Sequence, residues 1–192
     1  MPRIERSDAL ANRERVRTAA RSAFADSGLE VPTREVARRA GVGVATVYRH
    51  FPSRAELIAA VLSERVTACA ADMRRALADP DPWRALAGTI AQFADRQIQD
   101  RGLNEALLGS HEAGLAFRGI RHEHATAFAT LVARAQSAGV LRAGVEVDDV
   151  RAGLLAIASF RALPPQRSTV LVQRLSRVLL AGIRAGGGST SG

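Results

Sequence analysis

The sequence predicts an all-α protein, and three observations carry that reading. No stretch keeps the two-residue alternation of a half-buried strand for long. Apolar residues recur instead three and four positions apart, in one segment after another. Gly28, Gly41, Pro52, Pro82 and Gly139 punctuate those segments where helices need to stop or start. About nine helices are expected, in a three-helix N-terminal domain (1–53), a larger helical domain (54–185) and a flexible tail, 186–192.

In chain order, Met1 to about Leu10 reads as a polar arm carrying Arg3 and Arg6: either a frayed terminus or a basic arm that reaches DNA. From about Ala11 to Ser27, Val16, Ala19, Ala20, Ala23 and Phe24 form one apolar stripe. Thr33 is the expected N-cap of a short helix whose apolar face is Val36, Ala37 and Ala40. Gly41-Val42-Gly43 supplies a tight turn. A second short helix then runs from about Val44 to Phe51, where Pro52 removes the N–H that would continue it. Two short helices joined by a glycine turn read as a helix-turn-helix, whose second helix enters a DNA major groove.

Ser53 and Glu56 have the spacing of a capping box. The helix they open, from Arg54 to about Ala78, is long enough at ~1.5 Å per residue to reach a second domain. Asp81 caps and Pro82 begins a helix to about Asp100, and a short helix follows around Leu103, Ala106 and Leu107. Another, from about Ile120 to Ala138, carries His124, Phe128, Leu131, Val132 and Ala135 on one side. Asp148 or its neighbour caps the next, through Val150, Leu154 and Ile157. Ser168 is placed to cap the last, which runs to about Arg184. That last helix is apolar on two faces and therefore needs two partners. With its predecessor it is the expected dimer interface, where Ala152, Gly153, Ala156, Ala181 and Gly182 allow close approach; burial inside one subunit is the other reading.

Composition narrows the function classes. In 192 residues, 27 basic against 19 acidic side chains leave a net charge of +8, and every basic residue is Arg, which binds phosphate bidentately. Arg34, Arg38, Arg39, Arg49 and Arg54 face only Glu35 between 34 and 54, so basic charge concentrates at the motif. Cys69, the single cysteine, excludes an intrachain disulfide and a cysteine-built zinc site. Without an apolar leader or an 18-residue apolar run, a soluble, cytoplasmic protein is expected. His122-Glu-His124 has the wrong spacing for a shared metal, and Gly109-Ser-His-Glu112 lacks the elbow of a serine hydrolase. No metal, no cofactor and no catalytic residue are expected.

The segment AFADSGLEVPTREVARRAGVGVATVYRHFPSRAELI resembles the DNA-binding domain of the TetR family of bacterial repressors, above all in AGV, TVYRHF and PSRAEL. The likeness covers about residues 12–62. Gly43 stands where that family often has Ser, and Arg54 where it usually has Lys. The C-terminal half has some likeness to the SbtR-like subgroup. From the residues themselves, Val44, Ala45 and Thr46 open the recognition helix and are placed to touch bases. Arg34 is the candidate for a bidentate contact to guanine, and Arg49 adds positive charge. The resemblance adds Thr33, Tyr48, His50 and Arg54 as phosphate contacts. Tyr48 reads alternatively as core, His50 as packing against Phe51, and Arg38 and Arg39 as a solvated face.

The resemblance further implies a homodimer on a palindromic operator and a small-molecule cavity in the second domain. Candidates to line it are Trp83, Phe93, Gln97, Leu107, His111, Phe117, His122 and Phe128, with Asn104 a further polar residue nearby. The function expected is a dimeric repressor released from DNA by a ligand. The alternative is a helical binding module whose DNA contact is vestigial.

Overall fold

The computed structural model describes residues 2–108, 117–160 and 163–186, and among these nine helices occur with no strand ladder. They are α1 (Pro2–Ser27), α2 (Thr33–Ala40), α3 (Val44–His50), α4 (Arg54–Ala78), α5 (Pro82–Gln99), α6 (Arg101–Leu108), α7 (Arg118–Ser137), α8 (Val147–Ser159) and α9 (Pro165–Ile183). The chain divides into two compact units. One combines Met1–Ala68 with Gln99–Arg121, and the other combines Cys69–Ile98 with His122–Gly192.

In the first unit, the expected α1 stripe is sealed: Val16, Ala20, Ala23 and Phe24 are fully buried. α2 contributes Val36, Ala37 and Ala40 to the interior, α3 contributes Val47, and Phe51 follows it. The turn between α2 and α3 depends on Gly41. Its φ of 65° lies in the left-handed region, and its N–H bonds back to the α2 carbonyls, a conformation that costs a side chain-bearing residue strain. α6 joins this unit by packing against α1. Asp100 starts α6 by accepting the Leu103 N–H at 3.1 Å, and the same carboxylate pairs with Arg65 of α4. Glu105 then accepts the Leu29 N–H at 2.7 Å, and Arg101 donates to the Asp26 carbonyl at 3.2 Å. Those bonds tie the end of α1 to α6. The approach is close because Gly102 has no side chain: a Cβ there would lie 2.9 Å from both the Cβ and the carbonyl oxygen of Phe24.

The second unit has its own core, seeded by Leu86 and Ile90 of α5, Leu131 and Val132 of α7, Val150 and Ile157 of α8, and Val172 and Ile183 of α9. Arg134 of α7 donates to the carbonyls of Leu77 (2.7 Å) and Asp79 (2.5 Å), satisfying groups at the end of α4 that have no partner within the helix. Asp81 caps α5 by accepting the Arg84 N–H at 2.9 Å. Gly153 is half-buried against Leu179, whose methyl carbons lie 2.6–2.7 Å from where a Cβ would stand. This glycine therefore admits the α8–α9 crossing within one chain.

Several local expectations need correction. The N-terminal arm is helical from Pro2, because adding turns to an established helix costs little even without an apolar stripe. Thr33 is the first helical residue and Pro32 the N-cap, so the Thr33 hydroxyl makes no capping bond. The cap of α8 is Glu146, in a reciprocal box with Asp149. Ser168 lies inside α9, buried, and its N–H bonds to Pro164. The expected Ser53 cap of α4 does form: its Oγ accepts the Glu56 N–H at 3.2 Å and donates to the Glu56 carboxylate at 3.1 Å. Gly114 and His111 lie outside the described residues.

The two glycine environments predict opposite effects for one substitution. Gly102→Ala drives a methyl group into Phe24 backbone and should destabilise the protein by about 1–3 kcal/mol. Gly88→Ala, in open space on the exposed face of α5, should stabilise it by about 0.5–1 kcal/mol through helix propensity. Urea-unfolding midpoints of the two variants check both signs.

Candidate nucleic-acid interface

α3 is two turns long and has one side to spare. Val47 is buried and Phe51 follows it into the interior, leaving Val44, Ala45, Tyr48 and Arg49 exposed on the other side. These four fall at i, i+1, i+4 and i+5, which is one face of a helix. Val44 is 40% exposed and Tyr48 46% exposed, high values for apolar and aromatic side chains. Tyr48 is therefore surface, not core. Gly43 caps α3 through its extended backbone alone, as its lack of a hydroxyl requires. Thr46 and His50 are half-buried at the edges of the exposed face.

The arginines of the motif divide into two groups. Arg38 Nη2 donates to Glu35 at 2.7 Å, and Arg39 Nε donates to the same carboxylate at 2.9 Å, with a second contact from Arg39 to Asp26 at 3.2 Å. Together the two guanidiniums hold the Glu35 carboxyl down at about 2. These charges are already balanced within the chain, which fits the solvated face expected of them. Arg34 and Arg49 are exposed, and neither makes an ion pair among the described residues.

Arg54 differs again: it is half-buried and donates to the Leu29 carbonyl. One of its N–H groups is thus committed to the turn after α1, and the others remain for a phosphate. Arg13 of α1 is the residue that sequence reasoning passed over. Its guanidinium lies 5.2 Å from the centre of the Phe51 ring, beside the end of α3, while the side chain is exposed. No local pattern announces that pairing, since the two residues meet only through the packing of α1.

The candidates for a small-molecule cavity do not all fall together. Trp83, Phe93, Gln97, His122 and Phe128 belong to the second unit, while Leu107 and Phe117 belong to the first, as does Asn104. His122 is exposed. Trp83 is half-buried beneath the Arg184 guanidinium, 4.9 Å from its ring centre. Phe128 is core, and Phe93 packs against that core. Gln97 is the unusual one: it is 4% exposed, and neither its amide nitrogen nor its amide oxygen has a protein partner among the described residues. Among these residues no cluster of three His, Cys, Asp or Glu is arranged to hold a metal, and no helix is long and apolar enough to cross a membrane.

Comparisons with known proteins give this surface its context. Residues 16–61 match the family described as bacterial regulatory proteins, tetR family, and residues 81–185 match the transcriptional regulator SbtR-like C-terminal domain. The crystal structure of a TetR transcription regulatory protein from Mycobacterium vanbaalenii is 36% identical, covers 94% of this chain and 99% of its own, and superimposes with a TM-score of 0.55. The TetR transcriptional regulator SCO0520 from Streptomyces coelicolor is 29% identical over 91% of this chain and 99% of its own, with a TM-score of 0.57. A curated relative, the uncharacterized HTH-type transcriptional regulator Mb2274c of Mycobacterium bovis, is 39% identical over 83 residues. That match spans 43% of this chain and 42% of the relative. With the SbtR-like match alone covering more than half of the sequence, the chain belongs to the TetR family of transcriptional regulators, DNA-binding proteins with a ligand-binding C-terminal domain.

Proposed function

We propose that this regulator is a dimeric repressor that occupies a palindromic operator through two copies of α3 and leaves it when a small molecule binds the second unit. The observation that carries the reading is the α3 surface. A helix held by buried Val47 turns Val44, Ala45, Tyr48 and Arg49 outward, and two unpaired arginines, Arg34 and Arg49, belong to the same motif.

In this reading the opening residues of α3, Val44, Ala45 and Thr46, lie against base edges, where small apolar groups touch thymine methyls. Arg34 grips a guanine with its fork. Thr33, Tyr48, Arg49, His50 and Arg54 hold the phosphate backbone, the contacts that set register without reading sequence. The N-terminal domain so defined, 1–53, is the reader, and 54–185 is the effector and dimerisation domain. Cytoplasmic DNA is the target.

Dimerisation follows from an unused apolar surface. Leu155 of α8 is 58% exposed, and Val170 and Val178 of α9 are 48% and 66% exposed, with Ala152, Ala156, Ala181 and Gly182 exposed around them. Two such faces related by a two-fold axis bury each other and set two recognition helices on a symmetric site. The candidate cavity residues of the second unit, Trp83, Phe93, Gln97, His122 and Phe128, are the effector-binding set. An effector changes DNA affinity only by preferring one conformation of the dimer over the other.

Two measurements test this reading. Duplexes selected from a random pool should yield a palindrome. Against it, Arg34→Ala should lose about 1–3 kcal/mol of discrimination at one base pair of each half-site. Arg49→Ala should weaken all sequences alike and reduce the salt slope by about one unit. Uniform loss in both variants, with base preference intact, would refute the division into reader and anchor. Separately, Val178→Glu places a charge in the proposed interface and should shift sedimentation from dimer to monomer; an unchanged dimer would move the interface elsewhere.

A further inference from the structure

The second unit holds polar atoms that its own packing does not satisfy. On α5, Leu86, Ile90, Ala94 and Gln97 form one buried stripe, so the Gln97 amide faces the same way as three core residues. On α7, His124 leads a stripe continued by Phe128, Leu131, Val132 and Ala135. His124 Nε2 is also sealed from solvent and lacks a partner among the described residues. Burial, and after it the charge of Arg96, next to Gln97 in sequence, hold the His124 imidazole below its ordinary range. Leaving a buried amide and a buried ring nitrogen unbonded costs free energy, and native interiors rarely tolerate it without use.

A way in lies beside them. A cleft of about 230 Å³ opens between α4 and α7, lined by Met73, Leu77, Ala127 and His124, with the exposed Arg74 and Glu123 alongside. Met73 and Leu77 also pack against the core, so the cleft adjoins the interior that contains Phe128. Its volume is below the roughly 300–1,000 Å³ usual for drug-sized ligands, which points to a molecule of about one ring.

The polar groups define the chemistry. A carboxylate ligand would need a free buried cation. Arg96 is held by Asp72 at 3.0 Å and Gln92 at 3.3 Å, Arg134 is spent on the carbonyls of Leu77 and Asp79, and Arg74 at the cleft's edge is exposed, where water screens its charge. The Gln97 amide needs both a donor and an acceptor opposite it. A hydroxyl or a carboxamide supplies both; an ether or ketone supplies only the acceptor.

We infer that the effector enters by the α4–α7 cleft, past His124, and is held by the Gln97 amide and His124 Nε2, and that it is a small, uncharged, largely apolar molecule bearing a hydroxyl or carboxamide group. This deepens, and rests on, the reading of the second unit as the effector domain.

The test uses the full chain and four one-ring probes: benzamide, benzyl alcohol, toluene and benzoate. Titrations followed by the side-chain amide resonances of Gln97 should show benzamide and benzyl alcohol shifting those resonances and binding at least tenfold more tightly than toluene or benzoate. Gln97→Met and His124→Phe should each erase that preference. Free Gln97→Met should also melt at a higher temperature than the unsubstituted protein, because an unsatisfied amide has been removed. A lower melting temperature would mean the amide is already satisfied internally and would overturn the inference, as would equal binding of all four probes or tighter binding of benzoate. Binding to a selected duplex, measured in the absence of probe, reports on the repressor reading separately. Its failure would leave the probe result standing.

Discussion

Seven residues make a helix too short to hold its shape in water, where isolated helices need on the order of 12–15 residues even in favourable sequences. α3 is such a helix, and the surroundings of the motif are arranged to hold it. Val47 and Phe51 anchor one side in the interior formed with α1 and α2. Gly41 and Gly43 set the angle at which it leaves α2, and Pro52 ends it before it can extend. Because burial on one side supplies the stability, the other side owes nothing to the fold. Its residues are then free to be chosen for what they touch outside the chain.

The same division of labour runs through the arginines. A net charge of +8 states an excess, but contacts decide which charges are available. Arg38 and Arg39 are neutralised by Glu35 and Asp26, Arg65 by Asp100, and Arg96 by Asp72. Arg54, Arg101 and Arg134 act as clamps on backbone carbonyls at helix ends. Guanidinium suits this work because several donors in a rigid fork can serve one group and leave others free. Arg34 and Arg49 present charge at the motif that no ion pair among the described residues takes up.

Buried polar atoms fall into two groups. In the first, Asp100 is buried yet bonded both to an N–H and to Arg65, and Glu105 accepts the Leu29 N–H beside Gly28, whose φ of 82° glycine adopts freely. Such bonds make the junction of α1 and α6 rigid. In the second, Gln97, His124 and Arg21 of α1 carry buried atoms with no partner among the described residues. Satisfied networks fix one arrangement, whereas unsatisfied groups favour any arrangement or guest that completes them.

Much of this was legible in the residues. Helix class, the α4 limits at Arg54 and Ala78, the α2–α3 turn and the Asp81 cap follow from short-range rules, since a capping bond or a proline acts within four residues. The core face of α7 was legible for the same reason: periodicity is local. The helical state of residues 2–10 was not, because it derives from propagation of α1 and leaves no apolar signature. Nor was the cap at Glu146, where two further carboxylates nearby offered equally good candidates. Long-range facts belonged to the tertiary structure alone. α6 joins a unit whose other elements lie far upstream, Arg13 reaches Phe51, and Gly153 meets Leu179, each through contacts between residues distant in sequence. The sequence by itself determined what each segment would become and which side of it would be apolar, because those depend on neighbours along the chain. Only the packing decided which charges stay unpaired, which glycines admit a second helix and which polar atoms are left buried, because those depend on neighbours in space.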